Sequence, residues 1–318
     1  MEILSDAKSK SSFRLVFVGG SPRSGTTLVQ RLLDSHSDIA GGPELNSLQE
    51  ITHLYENMVK RIDDKRINFY FNKTELKAIF RDFIDSLFRI VHERHNVKII
   101  SEKTPPNVLA FETLSEIVDD AFFIFVVRDP KDIVASLKKV RKRALEKKQS
   151  VPAHVKNLFL SVDCVYEHFK AGFSFYEKNK DKTFIVKYED LVNNPGKTAK
   201  DIVDFLGLPL ENGMLELDGL GTSYMQERAA NVDSVFYTKE EVAAKAIEGS
   251  SIGRWKKALN KYHAGFVDLA IKDITAQSDE KIYNGRILFA LYRIHRALMK
   301  TGNIFGKLYQ KAILSARF

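Results

Sequence analysis

The sequence predicts an α/β fold, a parallel sheet flanked by helices, with a helical C-terminal extension. Three observations carry that expectation. Short apolar runs alternate with longer amphipathic stretches, the pattern of strands linked by crossover helices. The first run, Phe13–Gly20 (FRLVFVGG), is rich in β-branched and aromatic residues and ends in glycines, as a buried strand leading into a turn should. A later run, Ala121–Val127 (AFFIFVV), is apolar throughout, as expected of a central parallel strand covered on both faces.

The elements follow in order. After the first strand, Thr27–Ser35 reads as a helix with Leu28, Leu32 and Leu33 on one face. Helical patterns occupy Leu45–Arg61 and Thr74–His95, and Val97–Ile100 is a second short strand. A helix over Pro106–Val118 precedes the central strand. Lys131–Lys148 and a long stretch within Pro152–Asn179 are again helical, and Thr183–Lys187 (TFIVK) is a further strand. There is no internal repeat and no low-complexity linker. The organisation expected is one domain over residues 1–280, followed by a basic amphipathic helical tail over 281–318.

The chain has 318 residues, 44% hydrophobic and 11% aromatic. That is enough apolar material for a packed core, and it excludes disordered, collagen-like and disulfide-stapled classes. The single cysteine, Cys164, cannot form an internal disulfide, which fits a reducing compartment. A polar N-terminus without an apolar segment and the lack of a long apolar run lead to the expectation of a soluble, cytoplasmic protein. Charge is unevenly placed. The net +8 is accounted for by the tail, where eight Lys and Arg stand from Lys281 onward with no acid, leaving a neutral body. Arg286, Arg293, Arg296 and Lys300 fall on one helical face, and Ile287, Leu291, Ile294 and Leu298 form an adjacent stripe. Such a helix either docks its stripe on the core or lies peripherally on an anionic membrane. A neutral body argues against nucleic-acid binding.

The loop after the first strand carries the chemistry. Gly20-Ser-Pro-Arg-Ser-Gly-Thr-Thr27 has the spacing of a phosphate-binding P-loop, with Thr26 in the position of the usual lysine. Successive N–H groups of Ser24, Gly25, Thr26 and Thr27 at a helix N-terminus form a nest for a phosphate. The missing lysine weighs against a nucleoside triphosphatase. Arg23 supplies positive charge from another point of the loop. The fold class is therefore refined to a P-loop-type sheet.

The string PRSGTT after a first strand resembles the 5′-phosphosulfate loop of sulfotransferases that use 3′-phosphoadenosine 5′-phosphosulfate. Phe125–Ser136, with Arg128 and Ser136 eight residues apart, is similar to that family's 3′-phosphate element. Arg128 at a C-terminal strand edge and Ser136 on the next helix suit a phosphate dianion; the alternative for Arg128 is a surface ion pair with Asp129 or Asp132. Lys187–Pro195 resembles the segment whose tyrosine, here Tyr188, lies near the adenine. Gly249–Lys256 resembles the late loop that closes over the nucleotide. On that resemblance Ser250, Ser251, Ile252, Gly253 and Lys256 join the cofactor-binding residues, with Arg254 and Trp255 beside them.

The resemblance implies in-line transfer of a sulfuryl group to an acceptor hydroxyl, with 3′,5′-adenosine bisphosphate leaving. Arg23 and the loop amides would stabilise the leaving group. Lys103, in the string Glu-Lys-Thr-Pro, is a second cation, similar to a lysine beside the transferred group in glycan sulfotransferases; its plainer role is an ion pair with a nearby acid. Glu44, between two predicted helices, is the candidate base; the alternative is a helix-N-terminal glutamate. His92 and His95 are explained more simply by a helical face or a core position. No metal motif occurs, so no metal is expected. Asn72-Lys-Thr74 is a glycosylation sequon, read as incidental. The segments Leu45–Ile67, Lys142–Asn157 and Gly213–Glu248 would line the acceptor pocket, and their Tyr, Phe, Arg and Lys content suits a glycan, a glycolipid or another hydroxyl compound, with a peptide tyrosine or a small phenol as the alternative. The competing readings are a P-loop nucleotide-dependent kinase and a non-enzymatic anion- or membrane-binding protein led by the tail.

Overall fold

In a computed structural model of the chain, the described residues are 12–219, 221, 224, 227, 234–238, 247, 249–275, 292–294, 296 and 297. Five strands, β1 (Arg14–Gly20), β2 (Ile39–Gly41), β3 (Ile99–Lys103), β4 (Phe122–Val127) and β5 (Thr183–Lys187), form one sheet in the order β2-β3-β1-β4-β5. Every pairing is parallel. Chain order reverses across β1, which lies between β3 and β4, so the C-terminal strand ends around β1 form the crevice where such sheets bind ligands.

Two faces of the sheet bury different side chains because successive residues point to opposite sides. Phe17, Phe123 and Phe125 enter one core layer with helices α2 (Leu48–Asp63), α3 (Lys73–His95), α5 (Pro130–Glu146) and α6 (Leu158–Lys178). Val16, Val18, Ile124 and Val126 enter the other, under α1 (Thr26–Asp34) and α8 (Pro195–Leu206). Aromatic rings fill the first layer: Phe123 meets Phe111 at 4.9 Å and Phe175 at 4.8 Å between ring centroids. Gly172 lets α6 lie on the Phe125 ring, since a Cβ there would come 2.4 Å from Phe125 Cζ.

The predicted elements stand with adjustments. The second predicted strand, Val97–Ile100, runs instead as β3 to Lys103. Ser101, Glu102 and Lys103 are all buried, and tertiary partners rather than hydropathy offset the cost of that burial. The three-residue β2 was not anticipated because so short a strand carries no period. Pro106–Val118 divides into a 3₁₀ turn, Pro105–Leu109, and α4 (Phe111–Ile117). Tyr188 opens a short helix, α7 (Tyr188–Asn193). The sequon asparagine has a structural role, because Asn72 caps α3. Its side chain accepts from the N–H groups of Thr74 and Glu75 while the Glu75 carboxylate returns to the Asn72 amide.

Most of 281–318 lies outside the described residues, so the tail boundary stays an expectation. Where the tail is described, Tyr292 is buried and donates to Asp163 Oδ1 of α6 at 3.0 Å. Arg296 pairs with Asp163 and Glu167. Ile294, expected on the apolar docking stripe, is exposed. Among the described residues the contact runs through Tyr292, Arg296 and the α6 carboxylates, while Ile287, Leu291 and Leu298 of the expected stripe lie outside them. Among the described residues no helix is long and apolar enough to cross a membrane, and no three His, Cys, Asp or Glu are grouped to hold a metal ion.

Candidate active site

The phosphate loop turns tightly between β1 and α1. The Ser24 N–H donates to the Ser21 carbonyl at 3.0 Å, so it closes the loop rather than joining the nest, contrary to the sequence expectation. The anion-facing amides begin at Gly25, whose φ is 106° and which caps α1 without a side-chain hydrogen bond, leaving first-turn N–H groups for a ligand. Gly25 is required twice over: its φ disfavours a Cβ, and a Cβ would lie 2.4 Å from Tyr188 Cδ2. Ser24 still addresses the site, because its fully buried Oγ has no hydrogen-bond partner. A buried hydroxyl left open at the mouth of a nest suits a phosphate oxygen. Thr26 is buried and Thr27 exposed.

One group of expected residues meets beside this loop. Arg23, held at φ 74°, donates from Nε to Ser136 Oγ at 3.1 Å and from Nη1 to the Phe236 carbonyl at 2.8 Å. The sequence expectation puts Arg23 at the leaving group; the structure brings its guanidinium to Ser136, the residue expected at the 3′-phosphate. Arg128 lies over the Tyr188 ring at 4.3 Å and donates to the carbonyls of Arg23 and Ser251. Its buried Nε has no partner, a donor open to an anion. The ion-pair alternative for Arg128 does not hold, because both aspartates are engaged elsewhere. Asp129 caps α5 through the Lys131 N–H, and burial pushes its carboxyl above the ordinary range. Asp132, also buried, accepts from the N–H groups of Gly253 at 2.7 Å and Trp255 at 2.9 Å.

Asp132 is a site residue that sequence reasoning missed: it pins the late loop to the start of α5. That loop forms a 3₁₀ turn over Gly249–Ser251, containing Ser250, and then α9 (Trp255–Ala258). The contact it makes with the site among the described residues is the Ser251 carbonyl, which accepts from Arg128. Ile252 and Lys256 are exposed beside it, and Lys131 Nζ lies 4.7 Å from the Trp255 ring centroid.

A second group forms at the end of β3. Lys103 is 2% exposed at the side chain, and its Nζ lies 2.6 Å from Glu44 Oε1 and 3.4 Å from Thr27 Oγ1. An ammonium thus stands beside the loop on the neighbouring strand, where Lys103 pairs opposite Val18 of β1. Glu44, 36% exposed, is not part of α2, which begins four residues later; the helix-N-terminal alternative does not hold. Its loop is tied down by a further unanticipated residue. Buried Glu102 accepts from the Leu45 N–H at 3.1 Å and Thr104 Oγ1 at 2.7 Å, and also from Asn107. Desolvation raises its pKa. The only sequence signal was its place beside Lys103.

Two of the three expected acceptor segments meet next to Arg23. His154 stacks on Phe236 at 6.2 Å, while Arg143 and Lys147 donate to the carbonyls of Val235 and Ser234. His92 is remote: it bonds to the Val97 carbonyl and Ser12 at the opposite end of the sheet. Cys164 is half-buried, and burial pushes its thiol up to about 12, which makes it a poor nucleophile.

A family model described as Sulfotransferase family matches residues 16–212. Protein-tyrosine sulfotransferase 1 of Danio rerio is 26% identical over 215 residues, which cover 65% of this chain and 56% of the relative. Nodulation protein NoeE of Sinorhizobium fredii is 23% identical over 261 residues, covering 77% and 60%. The chain spans about half the length of several curated relatives it matches, 56%, 39% and 54% in three of them. Among solved structures, the sulfotransferase domain of the Synechococcus PCC 7002 olefin synthase aligns with a TM-score of 0.57 at 16% identity, over 87% of this chain and 99% of that one. A mouse sulfotransferase complexed with PAP aligns with a TM-score of 0.51 at 16% identity, over 89% and 91%. Those structural matches are likenesses of fold.

Proposed function

The chain belongs to the sulfotransferase family, and from that premise we propose that it moves the sulfuryl group of 3′-phosphoadenosine 5′-phosphosulfate to an acceptor hydroxyl. One observation carries the reading: a phosphate nest, an Arg23–Ser136–Arg128 group and a Lys103–Glu44 pair converge on the C-terminal edge of the sheet. The open donors fit such a substrate, since Ser24 Oγ and Arg128 Nε are buried without partners and would otherwise cost desolvation free energy.

In this reading the labour divides as follows. Amides of Gly25, Thr26 and Thr27 face the 5′-phosphate, and Arg23, Arg128 and Ser136 hold the 3′-phosphate. Tyr188 flanks the nucleotide, and the late loop, held by Asp132, covers it. Glu44 takes the acceptor proton while Lys103 neutralises charge developing on the leaving oxygen, preorganised as transition-state stabilisation requires. With its cation on β3 rather than in the loop, the site differs from that of a P-loop kinase. No step asks for a metal.

For the acceptor, the aromatic and basic side chains gathered beside Arg23, with His154 on Phe236 and Arg143 and Lys147 next to them, support a glycan or glycolipid hydroxyl. The names of curated relatives, protein-tyrosine sulfotransferases, favour a second reading, a tyrosine hydroxyl in a protein. Calorimetric titration of 3′,5′-adenosine bisphosphate, with ATP and AMP as controls, tests the donor site on wild type and Arg128→Ala. Micromolar binding selective for the 3′-phosphate and lost in the variant is expected; preference for ATP with Mg²⁺ would overturn the proposal. Labelled donor offered with tyrosine peptides and with glycans then separates the two acceptors.

A further inference from the structure

The turn joining α2 to α3 pushes two aromatic rings into solvent. Phe69 is 92% exposed and Tyr70 73% exposed, and the rings meet edge to face at 5.3 Å. The exposure is built in. Ile67 and Phe71, two residues to either side of Phe69, pack against the core, and the Tyr70 N–H donates to the Ile67 carbonyl. Lys65 takes a left-handed φ of 56°, and Asn72 starts α3 with its capping box directly after the rings. Between the anchors Ile67 and Phe71 the chain loops outward, and the turn closed by the Tyr70 N–H carries Phe69 at its outer corner.

Charge surrounds the tip. Between residues 60 and 73 stand five Lys and Arg against Asp63 and Asp64. Lys73 pairs with Asp63 at 2.7 Å and Arg66 faces Asp64 at 3.9 Å, while exposed Lys60, Arg61 and Lys65 have no carboxylate partner among the described residues. Exposed aromatics ringed by unpaired cations match an anionic bilayer surface: rings enter the headgroup boundary and cations meet lipid phosphates and carboxylates. A protein partner would satisfy the rings but leaves three uncompensated cations unexplained. We propose that the α2–α3 turn is a membrane-contact site for anionic lipid. This goes beyond the sulfuryl-transfer reading and does not depend on it. The turn lies at the far end of α2 from Glu44, a 16-residue helix and so about 24 Å away, which leaves the site clear of the contact.

Co-sedimentation of the full chain with vesicles tests it, phosphatidylcholine alone against phosphatidylcholine with phosphatidylserine. Binding to the anionic vesicles, weakening with salt, is expected. Phe69→Ser/Tyr70→Ser should lower partitioning about tenfold or more, and Lys60→Gln or Lys65→Gln roughly fivefold each, with the far-ultraviolet spectrum unchanged. In a Phe69→Trp variant, the added emission should shift to the blue on anionic vesicles. Replacing Arg293, Lys300, Lys307 and Lys311 by Gln separates the tail from the turn. Full binding by the double serine variant, loss of binding only in the tail variant, or no vesicle binding at all overturns the proposal. So does a dimer that the serine substitutions disperse, which would make the turn a protein contact.

Discussion

Replacing Glu44 should unsettle the fold more than replacing Lys103, although both changes should lower turnover. The asymmetry comes from burial. The Lys103 side chain is 2% exposed while Glu44 is 36% exposed, so each partner loses the other in a different dielectric. Glu44→Gln leaves a buried ammonium with a neutral amide oxygen and the Thr27 hydroxyl at 3.4 Å. Breaking a buried pair by removing one charge costs about 3–5 kcal/mol. Because Glu44 is more than a third exposed and its field is screened, that is discounted here to about 1–2 kcal/mol. Lys103→Met removes the buried charge, keeps the apolar stem and leaves a carboxylate that water can reach, so about 0–1 kcal/mol is expected. The double variant should resemble Lys103→Met, because no buried charge remains. At roughly 2–4 °C per kcal/mol, Glu44→Gln should melt several degrees below Lys103→Met in ligand-free scanning calorimetry. A Glu44→Gln protein as stable as wild type beside a destabilised Lys103→Met would refute the reasoning, showing the ammonium to be solvated through the open site. Turnover should fall at least about 100-fold in either single variant, the scale of losing a general base or a charge-stabilising donor.

Three further outcomes are expected. Gly25→Ala must place a Cβ 2.4 Å from Tyr188 Cδ2 at a φ of 106°, so nucleotide affinity should fall at least tenfold and the melting temperature should drop; an unchanged calorimetric titration would contradict the packing argument. Asp132→Asn keeps one acceptor for the Gly253 and Trp255 amides but loses the charge, which should raise the Kd for 3′,5′-adenosine bisphosphate several-fold, with faster proteolysis of the late loop as the second readout. Burial lowers His168 from 6.5 to about 4, so its contribution to stability is whole above pH 6.5 and is lost as pH falls toward 4, when the unfolded chain takes a proton that the folded one refuses. Urea denaturation across that range should show a loss of up to about 3 kcal/mol, and His168→Phe should flatten it; parallel curves for both proteins would remove His168 as the cause.

Much of the molecule was legible in one dimension. Strands buried on both faces advertise themselves as apolar runs, which is why Ala121–Val127 and Thr183–Lys187 were placed within a residue of β4 and β5. The phosphate loop was legible for a different reason: a strand-to-helix turn with an αL glycine is a local object, made by neighbours in sequence. Arg128 and Ser136 shared that advantage, since a strand end and the next helix set their separation. Long-range pairings were harder to read. The extension of β3 through Ser101, Glu102 and Lys103 has no hydropathy signal, because three polar residues are buried only where partners from other segments satisfy them.

What the sequence determined by itself, then, is the set of parallel strands, the nest at the end of β1 and the residue types able to hold phosphate, all products of local pattern and backbone geometry. The tertiary structure decided which of those residues act together. Arg23 went to Ser136, and Lys103, 76 residues beyond Thr27, came to stand beside the loop. Asp132 fastened the late loop, and Glu102 fastened the Glu44 turn. Each of these is a contact between segments remote in the chain, made specific by burial, where an unpaired polar group costs more than the entropy of ordering its partner.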